Sequence, residues 1–95
     1  MRALETRAVL LVEDDEDARM LLAEGLNNHG AEVRSAATGE QALVMLQQWS
    51  PDVLVSDLSL PGIDGLQLLT RAREAHGMTR LPAIALTGHL SLIHI

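Results

Sequence analysis

Three short runs of this chain are apolar with no polar residue between: Ala8-Val9-Leu10-Leu11-Val12, Val53-Leu54-Val55 and Ala83-Ile84-Ala85-Leu86. A strand with one wet face alternates apolar and polar side chains, so an unbroken run needs cover on both faces. Between the runs lie helical stripes. Ala18, Leu21, Leu22, Gly25 and Leu26 recur at spacings of three and four after Asp17, and His29-Gly30 supplies a glycine stop. Ala31 to Ala36 reads as a short second strand. Thr38 with Gln41 three residues on has a capping-box pattern, and Ala42, Leu43, Leu46 and Trp49 mark the buried face of the helix it opens. Ser50-Pro51 breaks the chain before a third strand, Asp52 to Ser56. A third helix starts near Asp64, buries Leu66, Leu69 and Ala72, and stops around Gly77; Pro82 to Leu86 is a fourth strand ending at Thr87. The order β-α-β-α-β-α-β predicts an α/β fold: a parallel sheet with helices on both faces, joined by right-handed crossovers.

In such a sheet, ligands sit beyond the carboxyl ends of the strands, where the strand order reverses. The first strand ends in Glu13-Asp14-Asp15, and the third delivers Asp57 to the same rim, ahead of a turn through Pro61 and Gly62. Mg²⁺ takes oxygen ligands, keeps several waters and is commonly held by one or two carboxylates together with phosphate oxygens. Asp14 and Asp57 suit direct ligation, Glu13 reaches through water, and Ser59 can add its main-chain carbonyl. Asp57 is also placed to attack phosphorus, because a carboxylate forms an aspartyl-phosphate once a metal offsets the charge repulsion. The Thr87 hydroxyl stands at the end of the fourth strand, able to bond a phosphoryl oxygen. Asp15 and Asp17 favour the positive end of the first helix, and Asp64 caps the third. His29, His76, His89 and His94 show no paired metal spacing.

Composition narrows the chemistry. A net charge of −6 argues against nucleic-acid contact through this segment. The absence of cysteine removes disulfides and thiolate metal sites. No run reaches membrane-spanning or signal-peptide length, so a cytoplasmic location with no membrane contact is expected.

From Val9 to about His89 the chain resembles the receiver domain of two-component response regulators. The resemblance rests on Val12-Glu13-Asp14-Asp15, on the Asp57 to Gly65 turn with Pro61 four residues after Asp57, and on Ala85-Leu86-Thr87. It implies a flavodoxin-like, doubly wound sheet of order 2-1-3-4-5, the order that receivers share with flavodoxin itself. It also implies that Asp57 is the phosphoacceptor, taking a phosphoryl group from a histidine kinase or phosphotransfer protein. Glu13 and Asp14 would hold Mg²⁺, and Thr87 would move toward the phosphate as the switch. The phrase Trp49-Ser50-Pro51-Asp52-Val53-Leu54-Val55-Ser56-Asp57 looks most like receivers attached to hybrid sensor kinases.

The departures are as informative. Receivers carry a fifth strand ending in a phosphate-contacting Lys, and this chain has no Lys at all. The expectation is an incomplete domain, with about four of five strands and three of five helices. One face of the first and third strands would stay uncovered, and Ala83–Leu86 would form an open edge. Residues 1–89 are read as the partial receiver and 90–95 as a non-native tail without caps or turn chemistry. In one reading frame CTG TCT CTT ATA CAC ATC encodes Leu90 to Ile95, a string that resembles the end of a transposase-based sequencing adapter. Two other functions compete with the phosphoacceptor module. A phosphorylation-independent interaction module, or a non-functional fragment, would have no need of the acids and Thr87. A phosphatase with an aspartate nucleophile typically has a second Asp two residues on, where this chain has Ser59. A signalling module and not an enzyme is therefore expected.

Overall fold

A computed structural model describes residues 7–57, 60, 62–75, 81–86 and 92–94. Its elements are β1 (Ala8–Val12), α1 (Glu16–Asn28), β2 (Glu32–Ala36), α2 (Gly39–Leu46), β3 (Val53–Asp57), α3 (Gly65–Ala75), β4 (Ala83–Leu86) and β5 (Leu92–His94). The sheet order is β2-β1-β3-β4-β5, and the first four strands are mutually parallel. The chain moves outward from β1 to β2, then crosses β1 to reach β3. Strand order thus reverses between β1 and β3, and their carboxyl ends stand side by side.

Successive residues of the apolar runs face opposite sides, and both sides are buried. Leu10 and Val12 of β1, Leu54 of β3 and Ala83 of β4 pack with Ala42 and Leu46 of α2 and Leu68, Leu69 and Ala72 of α3. Val9, Leu11, Val55 and Leu86 form the other layer, against Leu22, Ala23 and Leu26 of α1. Each helix begins at a cap that its sequence supplies. Asp15 accepts from the amides of Asp17 and Ala18 at 2.9 and 3.2 Å. Thr38 accepts from Gln41 N, while the Gln41 carboxamide reaches back to Ala37 N. Asp64 and Gln67 cap each other reciprocally at 2.9 and 3.2 Å. Such caps are worth about 1 kcal/mol each. α1 ends at Asn28 with His29 as its C-cap, and Gly30 takes a left-handed φ of 91° that favours glycine.

Four expectations change. Leu21, expected in the buried stripe of α1, is 71% exposed, and Leu66 of α3 is 52% exposed. Both lie at the margin of their stripes; Leu22, Ala23 and Leu26 turn toward the sheet on α1, and Leu68, Leu69 and Ala72 are buried on α3. Ala83–Leu86 is not an open edge, because β5 pairs with it antiparallel, Ile84 opposite His94 and Leu86 opposite Leu92. Backbone groups on an apolar edge strand take whatever partner strand is within reach. Among the described residues the sheet therefore has five strands, four of them parallel.

The face of β1 and β3 expected to stay uncovered is instead buried, with Val9 and Leu11 at 0% and Val55 at 7% exposed, because α1 packs across it. α2 and α3 cover one side of the sheet, whereas α1 is the single described helix on the other. Beside α1 an apolar cleft of about 170 Å³ is lined by Val9, Leu22, Leu26, Val53, Val55, Ile84 and Leu86. Among the described residues no helix is long and apolar enough to cross a membrane.

Candidate functional site: an acidic cluster at the strand ends

The register of β1 on β3 pairs Val12 with Ser56, which sets the next residue of each strand, Glu13 and Asp57, next to one another. Carboxylate oxygens of Glu13, Asp14 and Asp57 lie within 4.8 Å of one another. The three differ in environment: Glu13 is buried, Asp57 half-buried and Asp14 exposed. The turn after β1 is held from several directions. Glu13 N donates to Ala36 O at 3.1 Å, carrying the ladder toward β2 one residue past the strand. The Arg19 guanidinium, one turn into α1, donates to the Glu13 carbonyl at 2.9 Å. Asp15 N approaches Glu13 Oε1 at 3.4 Å.

Electrostatically the cluster is under-compensated. Burial, followed by a hydrogen bond to Asp57 and the charges of Asp57 and Asp14, pushes Glu13 from 4.5 up to about 7. The amide of Asp15 acts the other way and does not offset this. Crowded carboxylates with no cation resist full ionisation, and a bound divalent cation removes that resistance. Three oxygens from two adjacent turns, on a rim open to water at Asp14, suit a small oxygen-seeking cation that retains several waters.

Other residues singled out from the sequence are distributed as follows. Asp15 and Asp64 serve as helix caps. His29 sits at the end of α1, its Nδ1 2.9 Å from Gly25 O. Trp49 is half-buried against the core, with Arg34 4.6 Å above its ring. Ser59, Pro61 and Thr87 lie outside the described residues. Two contributors have no clear mark in the sequence. Arg19 pins the acidic turn, and Gly65 brings the start of α3 against the end of β3. An Arg six residues after an acid carries no sequence signal, whereas Gly65 stands out only as the last residue of the Asp57 to Gly65 turn.

Residues 9–94 match the family model described as the response regulator receiver domain. The transcriptional regulatory protein AfsQ1 of Streptomyces coelicolor is 41% identical over 81 residues, which cover 85% of this chain and 35% of that protein. Among solved structures, the receiver domain of the hybrid histidine kinase CckA superposes with a TM-score of 0.78 at 37% identity, covering 86% of this chain and 76% of that one. The response regulator TrrA of Thermotoga maritima, in complex with Mg²⁺ and BeF, gives a TM-score of 0.79 at 31% identity, covering 88% and 73%. The chain spans about a third or less of the curated transcriptional regulators it matches.

Proposed function

The chain belongs to the response regulator receiver family, and from that premise we propose that it is a phosphoacceptor in phosphorelay signalling, with Asp57 taking the phosphoryl group in the presence of Mg²⁺. The observation that carries this reading is the convergence of Glu13, Asp14 and Asp57 at the ends of β1 and β3. Asp57, half-buried at the last position of β3, presents its carboxylate at the rim. One of its oxygens forms a bond to phosphorus as the phosphorus–nitrogen bond of a phosphohistidine breaks, and the imidazole leaves with the electron pair and takes a proton. Glu13 and Asp14, with Asp57 and the main-chain carbonyl of Ser59, would hold the cation. Mg²⁺ supplies charge neutralisation between the acids and the incoming phosphoryl oxygens. Thr87 is assigned the phosphoryl contact and switch role on the strength of the family motif.

The donor is a histidine kinase or a histidine phosphotransfer protein in the cytoplasm. That assignment draws on the family and on the likeness to a receiver from a hybrid histidine kinase. No role in contacting nucleic acid or membrane is assigned to this segment, given its net charge of −6. Residues 1–89 are assigned to the receiver and 90–95 to a tail foreign to it. The antiparallel direction of β5 supports this, since the four strands before it are parallel, whereas the family match running to residue 94 counts against it. An open frame at the source locus that runs through Leu90 to Ile95 into further receiver sequence would overturn that boundary.

Calorimetric titration with Mg²⁺ tests the site. Asp14→Asn and Asp57→Asn are each expected to weaken binding by roughly 10-fold or more, whereas Asp64→Asn, a change at a helix cap, leaves it unaltered. Equal loss in all three variants would mean a diffuse acidic surface and no site.

A further inference from the structure

The start of α3 touches the end of β3 at one point only glycine can occupy. A Cβ built on Gly65 would meet the carbonyl oxygen of Asp57 at 2.6 Å and its carbonyl carbon at 3.3 Å, with Ser56 Oγ at 3.2 Å. Ordinary contact begins near 3.4 Å. Gly39 also faces main chain, the Ile63 carbonyl oxygen, but at a looser 3.0 Å. At Gly62 the nearest group is the flexible carboxylate of Glu40, and at Gly25 nothing lies within 4 Å. At Gly65 the obstruction is main chain, and it is the main chain of the proposed phosphoacceptor.

Neither partner in this contact has an easy retreat. α3 is seated by Leu68, Leu69 and Ala72, all in the core and at most 4% exposed. Its first turn is fixed by the Asp64–Gln67 cap and by Leu68 N donating to Asp64 O at 2.9 Å. On the other side, the Asp57 carbonyl accepts from Ser56 Oγ at 3.1 Å, and Asp57 is in register with Leu86 of β4. A methyl group at position 65 would therefore be relieved mainly by turning the Asp57 peptide. That motion carries the Asp57 side chain with it and changes its position relative to Glu13 and Asp14.

We propose that Gly65 is a positioning residue for the acidic cluster: its missing side chain seats α3 on the Asp57 carbonyl and sets how the Asp57 carboxylate meets Glu13 and Asp14. The inference rests on the metal-site reading above and adds to it which residue outside the cluster fixes its geometry. Functional groups tolerate displacements of only about 0.5 Å. Mg²⁺ is the stricter judge, since it requires near-octahedral oxygens at about 2.0–2.1 Å, whereas Ca²⁺ accepts roughly 2.3–2.6 Å and irregular geometry. A displaced Asp57 should therefore cost Mg²⁺ far more than Ca²⁺. A change that merely lowers the folded fraction weakens both cations by the same factor.

The test is the pair of dissociation constants for Mg²⁺ and Ca²⁺, measured by calorimetry on the 95-residue chain, for wild type, Gly65→Ala and the matched control Gly25→Ala. Gly65→Ala is expected to weaken Mg²⁺ binding by roughly 10–100-fold and Ca²⁺ binding by no more than about 3-fold, so that the ratio shifts; Gly25→Ala leaves both unchanged. Should Gly65→Ala not fold, Ser56→Ala carries the test, because it removes the hydroxyl that holds the same carbonyl; it too should shift the ratio against Mg²⁺. A ratio equal to wild type in the folded variant overturns the role of Gly65 and leaves the metal site standing. A wild-type chain that binds neither cation overturns the metal-site reading and this inference with it.

Discussion

Replacing Glu13 by Gln should stabilise the metal-free protein, and by an amount that depends on pH. Glu13 is 7% exposed, and burial together with Asp57 and Asp14 raises it from 4.5 to about 7. In the unfolded chain the same carboxyl ionises at its ordinary value. Between these two values the native state holds more proton than the unfolded state, so stability falls as pH rises. The stabilising effect of the proton is fully present below about pH 4.5 and is lost once pH has passed through about 7. At 1.36 kcal/mol per pH unit the full swing is about 3 kcal/mol, and water at the open rim beside Asp14 reduces it to ~2 kcal/mol. Gln stays uncharged, keeps an acceptor for the Asp15 amide and offers donors to Asp57. At about pH 8 the Glu13→Gln variant should melt roughly 10 °C above wild type, given 4–8 °C per kcal/mol for a domain of this size. Near pH 5 the two should differ by only a few degrees. Thermal denaturation followed by circular dichroism in EDTA, from pH 5 to 8, reads the difference directly. Parallel curves for the two proteins across that range would refute the reasoning, because they would mean that Glu13 ionises as freely in the folded state as in the unfolded one.

Arg19→Ala removes the donor to the Glu13 carbonyl, and should cost ~1–2 kcal/mol in denaturant unfolding while weakening Mg²⁺ about 3–10-fold by loosening the turn. Asp15→Ala removes a cap with two amide partners; it should lower stability by about 1 kcal/mol with Mg²⁺ affinity unchanged, and a large affinity loss would make Asp15 a ligand. The apolar cleft beside α1 should enhance the fluorescence of an anilinonaphthalene dye. Leu22→Ser with Leu26→Ser should reduce that signal in a chain that remains folded, and an undiminished signal would place the dye elsewhere.

Much of this fold can be read from local chemistry, because the features that determine it are local. The unbroken apolar runs require a sheet covered on both sides, and the caps at Asp15, Thr38 and Asp64 lie within three residues of the amides they serve. The acidic cluster is legible for a related reason: once β1 and β3 are neighbours, the residues that end them must meet. What escapes depends on distance along the chain or on fine angle. Leu21 is apolar and correctly spaced, yet one residue's rotation of about 100° separates it from Leu22 and leaves it in water. The pairing of Leu92–His94 with β4 has no periodic signal in three residues. The contact of Gly65 with the Asp57 carbonyl appears only when α3 is docked, and Arg19 reaches Glu13 only because α1 turns back over the end of β1.

The central claim is that Asp57 accepts a phosphoryl group with the help of a divalent cation held by its neighbours. Incubation with acetyl phosphate and Mg²⁺, followed by intact-mass measurement and peptide mapping, tests it most directly. A single acid-stable, base-labile phosphoryl adduct on Asp57 is predicted, abolished by EDTA and by Asp57→Asn, and retained in Thr87→Ala. An adduct of undiminished yield in Asp57→Asn would contradict the account.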